Sequence, residues 1–297
     1  MSFKAISQNI LLAVATSPHD DDLIQLKNVQ SKYKNFKCNI DHIKIEPPAP
    51  GTYPHWHNYF LCGVKGIFDY LHKMGDFQRK GFMVAVSGNI PPASGLSSSS
   101  ALVCASALAT AYLFKLPLNK QLLATLSASS EHYIGTIGGG MDQAIAFLAK
   151  KGCASYIEFD PVRATPIELP TDAVFVIANS LSEANKAATS DFNQRVVECR
   201  IATKLLAKLT DRTWQDVSKL RQLQSEVLDI ELMELESLIK KLLTKDVYTK
   251  DELMRIFHLS SHEFEEQLLT PNTKHSTEFK LRQRALHVVQ GELISDR

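Results

Sequence analysis

The sequence predicts an α+β fold in two domains, with residues 1–183 mixing strands and helices and residues 184–297 helical only. Three observations predict this. Short β-type runs alternate with helical repeats as far as Ala178, and two glycine-punctuated segments stand at the starts of helices. Beyond Asn185 only helical periodicity remains.

The elements follow in order. Residues 8–48 carry the apolar runs Ile10-Leu11-Leu12-Ala13-Val14 and Leu23-Ile24-Gln25-Leu26, parted by the polar turn Pro18-His19-Asp20-Asp21-Asp22, which predicts an antiparallel meander. Pro47-Pro48-Ala49-Pro50-Gly51 ends it. Phe60, Val64, Ile67, Phe68 and Leu71 fall at helical spacing, so 56–71 is expected as a helix. Residues 81–86 read as a strand, 101–114 as a buried Ala/Leu-rich helix, and 119–134 and 141–150 as further helices. Strands are expected over 153–159, 165–169 and 173–178. After a long helix ending at Leu209 come helices over 214–224, 232–243, 250–257 and 278–293, with Pro271-Asn272-Thr273 before the last.

Composition bounds the function. The 33 Lys and Arg nearly cancel the 32 Asp and Glu, so no global field favours nucleic acid or a membrane surface, and any anion site must be local. The five cysteines are spread out with no Cys-x-x-Cys pair, which reads as reduced thiols in a cytoplasmic protein. The apolar run at residues 10–15 is too short for a signal segment, and no stretch approaches a membrane span.

The first glycine-punctuated segment is Pro91-Pro92-Ala93-Ser94-Gly95-Leu96-Ser97-Ser98-Ser99-Ser100-Ala101. Small residues let backbone N–H groups converge on an anion, and the following helix start adds partial positive charge. Serine hydroxyls can donate to phosphate or hold Mg²⁺. The segment lacks the Gly-Lys-Ser/Thr ending of a Walker loop. Alone it reads equally as a flexible loop; its place between a strand and a buried helix favours phosphate. The second segment, Gly138-Gly139-Gly140-Met141-Asp142-Gln143, turns tightly into a helix with Asp142 in its first turn. A plain helix-dipole acid is the bland reading of Asp142, and a base that accepts a hydroxyl proton during phosphoryl transfer is the functional one.

Both segments resemble the galactokinase family of the GHMP kinases. The strings Trp56-His57-Asn58-Tyr59-Phe60-Leu61-Cys62-Gly63, Gly88-Asn89-Ile90-Pro91, Tyr133-Ile134-Gly135-Thr136, Ile157-Glu158-Phe159 and Val176-Ile177-Ala178-Asn179-Ser180 are similar to the N-acetylgalactosamine kinases within it. The resemblance implies a GHMP kinase N-terminal domain, of the ribosomal protein S5 domain 2-like type, followed by the helical part of an incomplete C-terminal domain. It implies ATP- and Mg²⁺-dependent phosphorylation of the anomeric hydroxyl of galactose or N-acetylgalactosamine by a monomer. By the same resemblance Gly95, Ser97, Ser98 and Ser99 contact the triphosphate, Ser98 or Ser99 holds the metal, and Asp142 is the base. Gly140 and Asp142 meet the sugar, Asn185 and Lys186 lie near the nucleotide, and Trp56 and Tyr59 line the adenine pocket.

The family pattern Gly-Arg-x-Asn-x-Ile-Gly-Glu-His-x-Asp has no counterpart in this sequence, nor has the family's third glycine-rich motif. That departure sets a second expectation beside the first, a truncated nucleotide-binding or regulatory relative without turnover. It also leaves Phe279, Ala285, Leu286, Val289 and Leu293 of the last helix without an expected cover. His55-x-His57 as a zinc pair, His258 with His262, and the Asp20-Asp21-Asp22 turn are weaker candidates.

Overall fold

The computed structural model describes residues 7–19, 21–46, 48, 52–75, 79–159, 162–178, 180–182 and 190–295. It divides into two compact units, 1–188 and 189–297.

Unit 1 holds a four-stranded sheet of β1 (Ile10–Thr16), β2 (Leu23–Asn28), β3 (Phe36–Asn39) and, after helix α1 (Trp56–Met74), β4 (Phe82–Gly88). The order is β1-β4-β2-β3. β4 pairs antiparallel with β1, from Ile10 opposite Gly88 to Thr16 opposite Phe82, and parallel with β2, from Ile24 opposite Phe82 to Asn28 opposite Val86. The expected 8–48 meander is therefore corrected: β2 and β3 form a hairpin, but β1 and β2 are separated by a strand from beyond α1. Burial explains the insertion. Phe82, Val84 and Val86 are buried, as a central strand requires, whereas β1 alternates half-buried and exposed residues and suits an edge.

Phe60, Leu61, Val64 and Phe68 of α1 cover one sheet face with Leu102 of the next helix, α2 (Ser98–Leu113). α2 is apolar on most sides because it packs on β1, α1, α3 (Lys120–Ser130) and α4 (Met141–Leu148) together. The helix expected over 119–134 ends at Ser130, and Glu131–Ile134 form a 3-10 turn instead. The hairpin of β5 (Cys153–Phe159) and β6 (Val162–Glu168) closes the unit, with Ala154 and Val162 buried. The strand expected over 173–178 has no ladder partner among the described residues, and Val174 and Val176 are 86% and 89% exposed. Apolar alternation alone does not make a strand without a neighbouring edge to bond.

At the start of α1, His57 stacks on Phe36 at 3.8 Å and on His55 at 5.2 Å between ring centroids. Burial, and next the His55 charge, lower its pKa from the ordinary 6.5 to about 4. The unfolded chain thus binds the proton first, so His57 stabilises the fold above pH 6.5 and loses that contribution as pH falls toward 4. For a half-exposed ring the loss is on the order of 1 kcal/mol. His57→Phe, which keeps the stack, is expected to flatten the pH dependence of urea midpoints in that window; an unchanged slope would reject this role.

Unit 2 is built around α5 (Asp191–Leu209), whose Val197, Ile201, Ala202, Leu205 and Leu206 are buried. The helix expected over 214–224 shrinks to α6 (Leu220–Gln222) and a π-helical turn, Leu223–Leu228. The segment before α6 is held against α5 instead: the Lys204 ammonium donates to the carbonyls of Trp214 and Gln215, at 3.1 and 2.6 Å. α7 (Leu232–Leu242), the strand pair β7 (Tyr248–Thr249) and β8 (Glu278–Phe279), α8 (Lys250–Phe257), α9 (Ser261–Leu268) and α10 (Leu281–Ser295) complete the unit. α9 escaped the sequence reading although Ser260 and Glu263 form a capping box at its start.

The expectation of an uncovered last helix is also overturned. Phe279, Ala285 and Val289 are buried, with Leu286 and Leu293 packed against the same core, because α10 lies on α5 and α7. Buried Glu198 fixes the contact by accepting from the Lys280 N–H at 2.9 Å and from Arg284 Nε at 3.3 Å.

Candidate active site

The loop from β4 to α2 has an unusual backbone. Ala93, Gly95 and Ser97 all have positive φ, at 55°, 75° and 58°. Left-handed residues in alternation curl a chain into the N–H-lined concavities that bind anions. Gly95 is the position where this conformation needs no side chain to strain, and open space surrounds it. The Ser94 hydroxyl donates to the Pro91 carbonyl at 2.7 Å and braces the loop.

Ser97 is the N-cap of α2, yet its hydroxyl makes no cap bond, and the first turn, Ser98-Ser99-Ser100, contains no acid. No acidic side chain of that turn therefore offsets the positive end of a 16-residue helix. Ser98 and Ser99 are half-buried and Ser100 is buried.

Gly140, the N-cap of α4, has φ 95°, and an added Cβ would lie 2.9 Å from Ala128 Cβ, so a glycine is required there. It turns the chain so that Asp142 falls half-buried in the first turn of α4, at its positive end.

What joins the two helix starts is a buried polar cluster the sequence reading did not single out. Ser100 Oγ donates to Glu131 Oε2 at 2.8 Å, and Gln143 Nε2 donates to the same oxygen at 2.5 Å. Gln143 Nε2 also lies 3.3 Å from Ser100 Oγ. All three are at most 7% exposed. Ser100 and Gln143 are the third residues of α2 and α4, so one carboxylate ties both first turns. The one sequence signal was an acid, Glu131, amid the small and apolar residues of 123–134.

The 3-10 turn that carries Glu131 is held in its own right. The Tyr133 hydroxyl donates to Asp69 of α1, Lys65 reaches Asp69 at 3.1 Å, and its ammonium lies 5.0 Å from the centre of the Tyr133 ring. Burial and the Asp69 bond push the Tyr133 phenol up, so it remains a donor. Tyr59 and Cys62 on α1 are likewise pushed up by burial and then by Glu131.

The remaining site expectations fall as follows. Trp56 is half-buried at the first position of α1, its indole N–H donating to the Lys34 carbonyl at 2.9 Å. Its ring packs near Tyr33 at 6.2 Å. Tyr59 packs against the sheet core. Asn185 and Lys186 lie outside the described residues. The hydroxyls of Ser98 and Ser99 and the carboxylate of Glu131 are hard oxygen donors of the kind Mg²⁺ takes when phosphates supply the rest, so these residues fit that ion. Among the described residues, no group of three or more His, Cys, Asp or Glu could hold a metal unaided. No helix among them is long and apolar enough to cross a membrane.

Residues 58–150 match the family model of the GHMP kinases N terminal domain. Over 96% of its length the chain is 37% identical to the galactokinase of Dictyostelium discoideum, covering 57% of that protein. It is 32% identical to the galactokinase of Candida parapsilosis over 97% of this chain and 62% of that one. The chain thus spans less than two thirds of the length of these relatives. Among solved structures, Lactococcus lactis galactokinase complexed with galactose superposes with a TM-score of 0.56 at 21% identity, covering 87% of this chain and 60% of that chain, which speaks for the fold. The chain thus carries a match to the GHMP kinases N terminal domain over residues 58–150 and is similar, over nearly its whole length, to part of these galactokinases.

Proposed function

We propose that this protein transfers the γ-phosphoryl group of ATP to the anomeric hydroxyl of galactose or N-acetylgalactosamine. The observation that carries the reading is the buried tie, through Glu131, between a left-handed helix start and a second helix start bearing Asp142. One holds phosphate, the other offers a carboxylate, and phosphoryl transfer needs both at fixed separation. The sequence similarity to galactokinases supports the sugar class.

In this reading the N–H groups of Gly95, Ser97, Ser98 and Ser99 grip the triphosphate, and Trp56 borders the adenine. Asn185 and Lys186 serve the nucleotide. Ser98 or Ser99 would hold Mg²⁺, which when bound would offset the charge of the triphosphate. Asp142 accepts the hydrogen bond of the anomeric hydroxyl and takes its proton as the new oxygen–phosphorus bond forms and the bond to ADP breaks. Gly140 meets the sugar beside Asp142. Residues 1–183 act as the N-terminal kinase domain and 184–297 as a second, mostly helical domain, in a cytoplasmic monomer.

The test is coupled ADP release by the purified chain with galactose and, in parallel, N-acetylgalactosamine, alongside ATP-binding calorimetry. Sugar-dependent ADP release supports the proposal and its ratio sets the substrate. ATP binding with no release on either sugar overturns it in favour of a nucleotide-binding relative.

A further inference from the structure

We propose that Gln143 and Ser100 are positioning residues that hold Asp142 at its working distance from the phosphate loop by sharing one oxygen of Glu131. The inference deepens the kinase reading and rests on it for the meaning of that distance. Its geometric core stands without it.

α2 and α4 touch, yet Asp142 and the serine loop arrive by different routes, one after the 131–140 segment and the other after β4. Apolar packing of Ala107, Ala111 and Ala144 holds the helices together but leaves sliding along their axes weakly specified. A hydrogen bond to a buried carboxylate specifies direction as well as distance, and it is stronger than a neutral one. Here two such bonds, at 2.8 and 2.5 Å, start from the equivalent third residue of each helix and end on one atom. Glu131 is in turn fixed by the Tyr133–Asp69 bond to α1. The cluster therefore locks the two first turns along a direction that apolar contact cannot. The backbone bonds nearest to it are Ala101 N–H to Ser97 and Ala144 N–H to Gly140, at 2.9 and 2.8 Å.

Gln143 is the informative member because its amide donates to Glu131 without charge, and Gln143→Leu removes that donor while keeping similar bulk.

The experiment compares the unsubstituted chain with Gln143→Leu and Ser100→Ala. Sugar-dependent kcat is expected to fall about 100-fold in Gln143→Leu with KM for ATP changed less than about 3-fold, since the phosphate loop itself is intact. A purely structural role gives no such split: kcat would fall together with a rise in KM for ATP. Amide hydrogen exchange reads the tie without turnover. Ser100→Ala should speed exchange at Ala144, and Gln143→Leu at Ala101, each by about tenfold. If neither amide changes across the cluster, the positioning inference is overturned whatever the kinetics. If the amides respond but no chain releases ADP, the cluster stands and the kinase reading fails.

Discussion

Asp142→Asn is expected to lower sugar-dependent ADP release by about 1,000-fold while leaving ATP affinity nearly unchanged. Asn preserves the shape and the hydrogen-bonding reach of the side chain at the second position of α4, so packing of the buried neighbours Gln143, Ala144 and Ile145 should survive. What disappears is the proton acceptor. An amide oxygen cannot take the hydroxyl proton as the phosphoryl group arrives, and the nucleophile must then attack while still protonated. The loss should appear in kcat, with KM for ATP little altered, because the triphosphate is held on the other helix start. Calorimetry with ATP alone is the control. If ADP release persisted at the unsubstituted rate, Asp142 would be a helix-dipole acid and nothing more, and the base would have to be sought elsewhere.

Gly63→Ala is the second large effect, and it acts on stability. Gly63 lies in the buried middle of α1 where α2 crosses it. A Cβ there would stand 2.0 Å from Ser106 Oγ, 2.4 Å from the Val103 carbonyl oxygen and 2.8 Å from the Ala107 nitrogen. A hydroxyl could swing aside, but two of the three obstacles are backbone. The helices would have to separate, opening the small cluster of Cys62, Val103 and Ile134. We expect a loss of about 3 kcal/mol or more in urea unfolding. Adding Ser106→Ala removes the nearest obstacle and should restore only a minor part of that loss. Full restoration would show that the side chain, not the backbone, sets the approach. Since α2 carries the serine loop at its N-terminus, weaker ATP binding should accompany the loss of stability.

Much of the fold was legible where local chemistry is decisive. The spacing of Phe60, Val64, Ile67 and Phe68 placed α1, the Ala/Leu run placed α2, and the alternation of 153–159 placed β5 to the residue. The same reading failed where a distant partner decides. β1 and β2 looked like meander neighbours because their patterns are alike, and only the deeper burial of Phe82, Val84 and Val86 shows why β4 must lie between them. The helix expected over 214–224 carries good local signals, yet the structure forms it only from Leu220, with Lys204, ten residues before Trp214, bonded to the Trp214 and Gln215 carbonyls. The last helix seemed bare because no sequence rule says that Glu198 will receive Lys280 and Arg284.

The sequence by itself determined the two glycine-punctuated helix starts, the small residues that a phosphate loop requires, and a carboxylate in the first turn of α4. Those are local properties, set by φ/ψ freedom, side-chain size and the helix dipole within a few residues. The tertiary structure alone decided that the two starts are tied. Ser100, Glu131 and Gln143 are 31 and 12 residues apart along the chain and meet only because α2, the 3-10 turn and α4 pack around one buried oxygen. A lone Glu in a run of small residues carries no sign of its partners, since burial and hydrogen-bond geometry belong to the assembled core and not to any stretch of the chain.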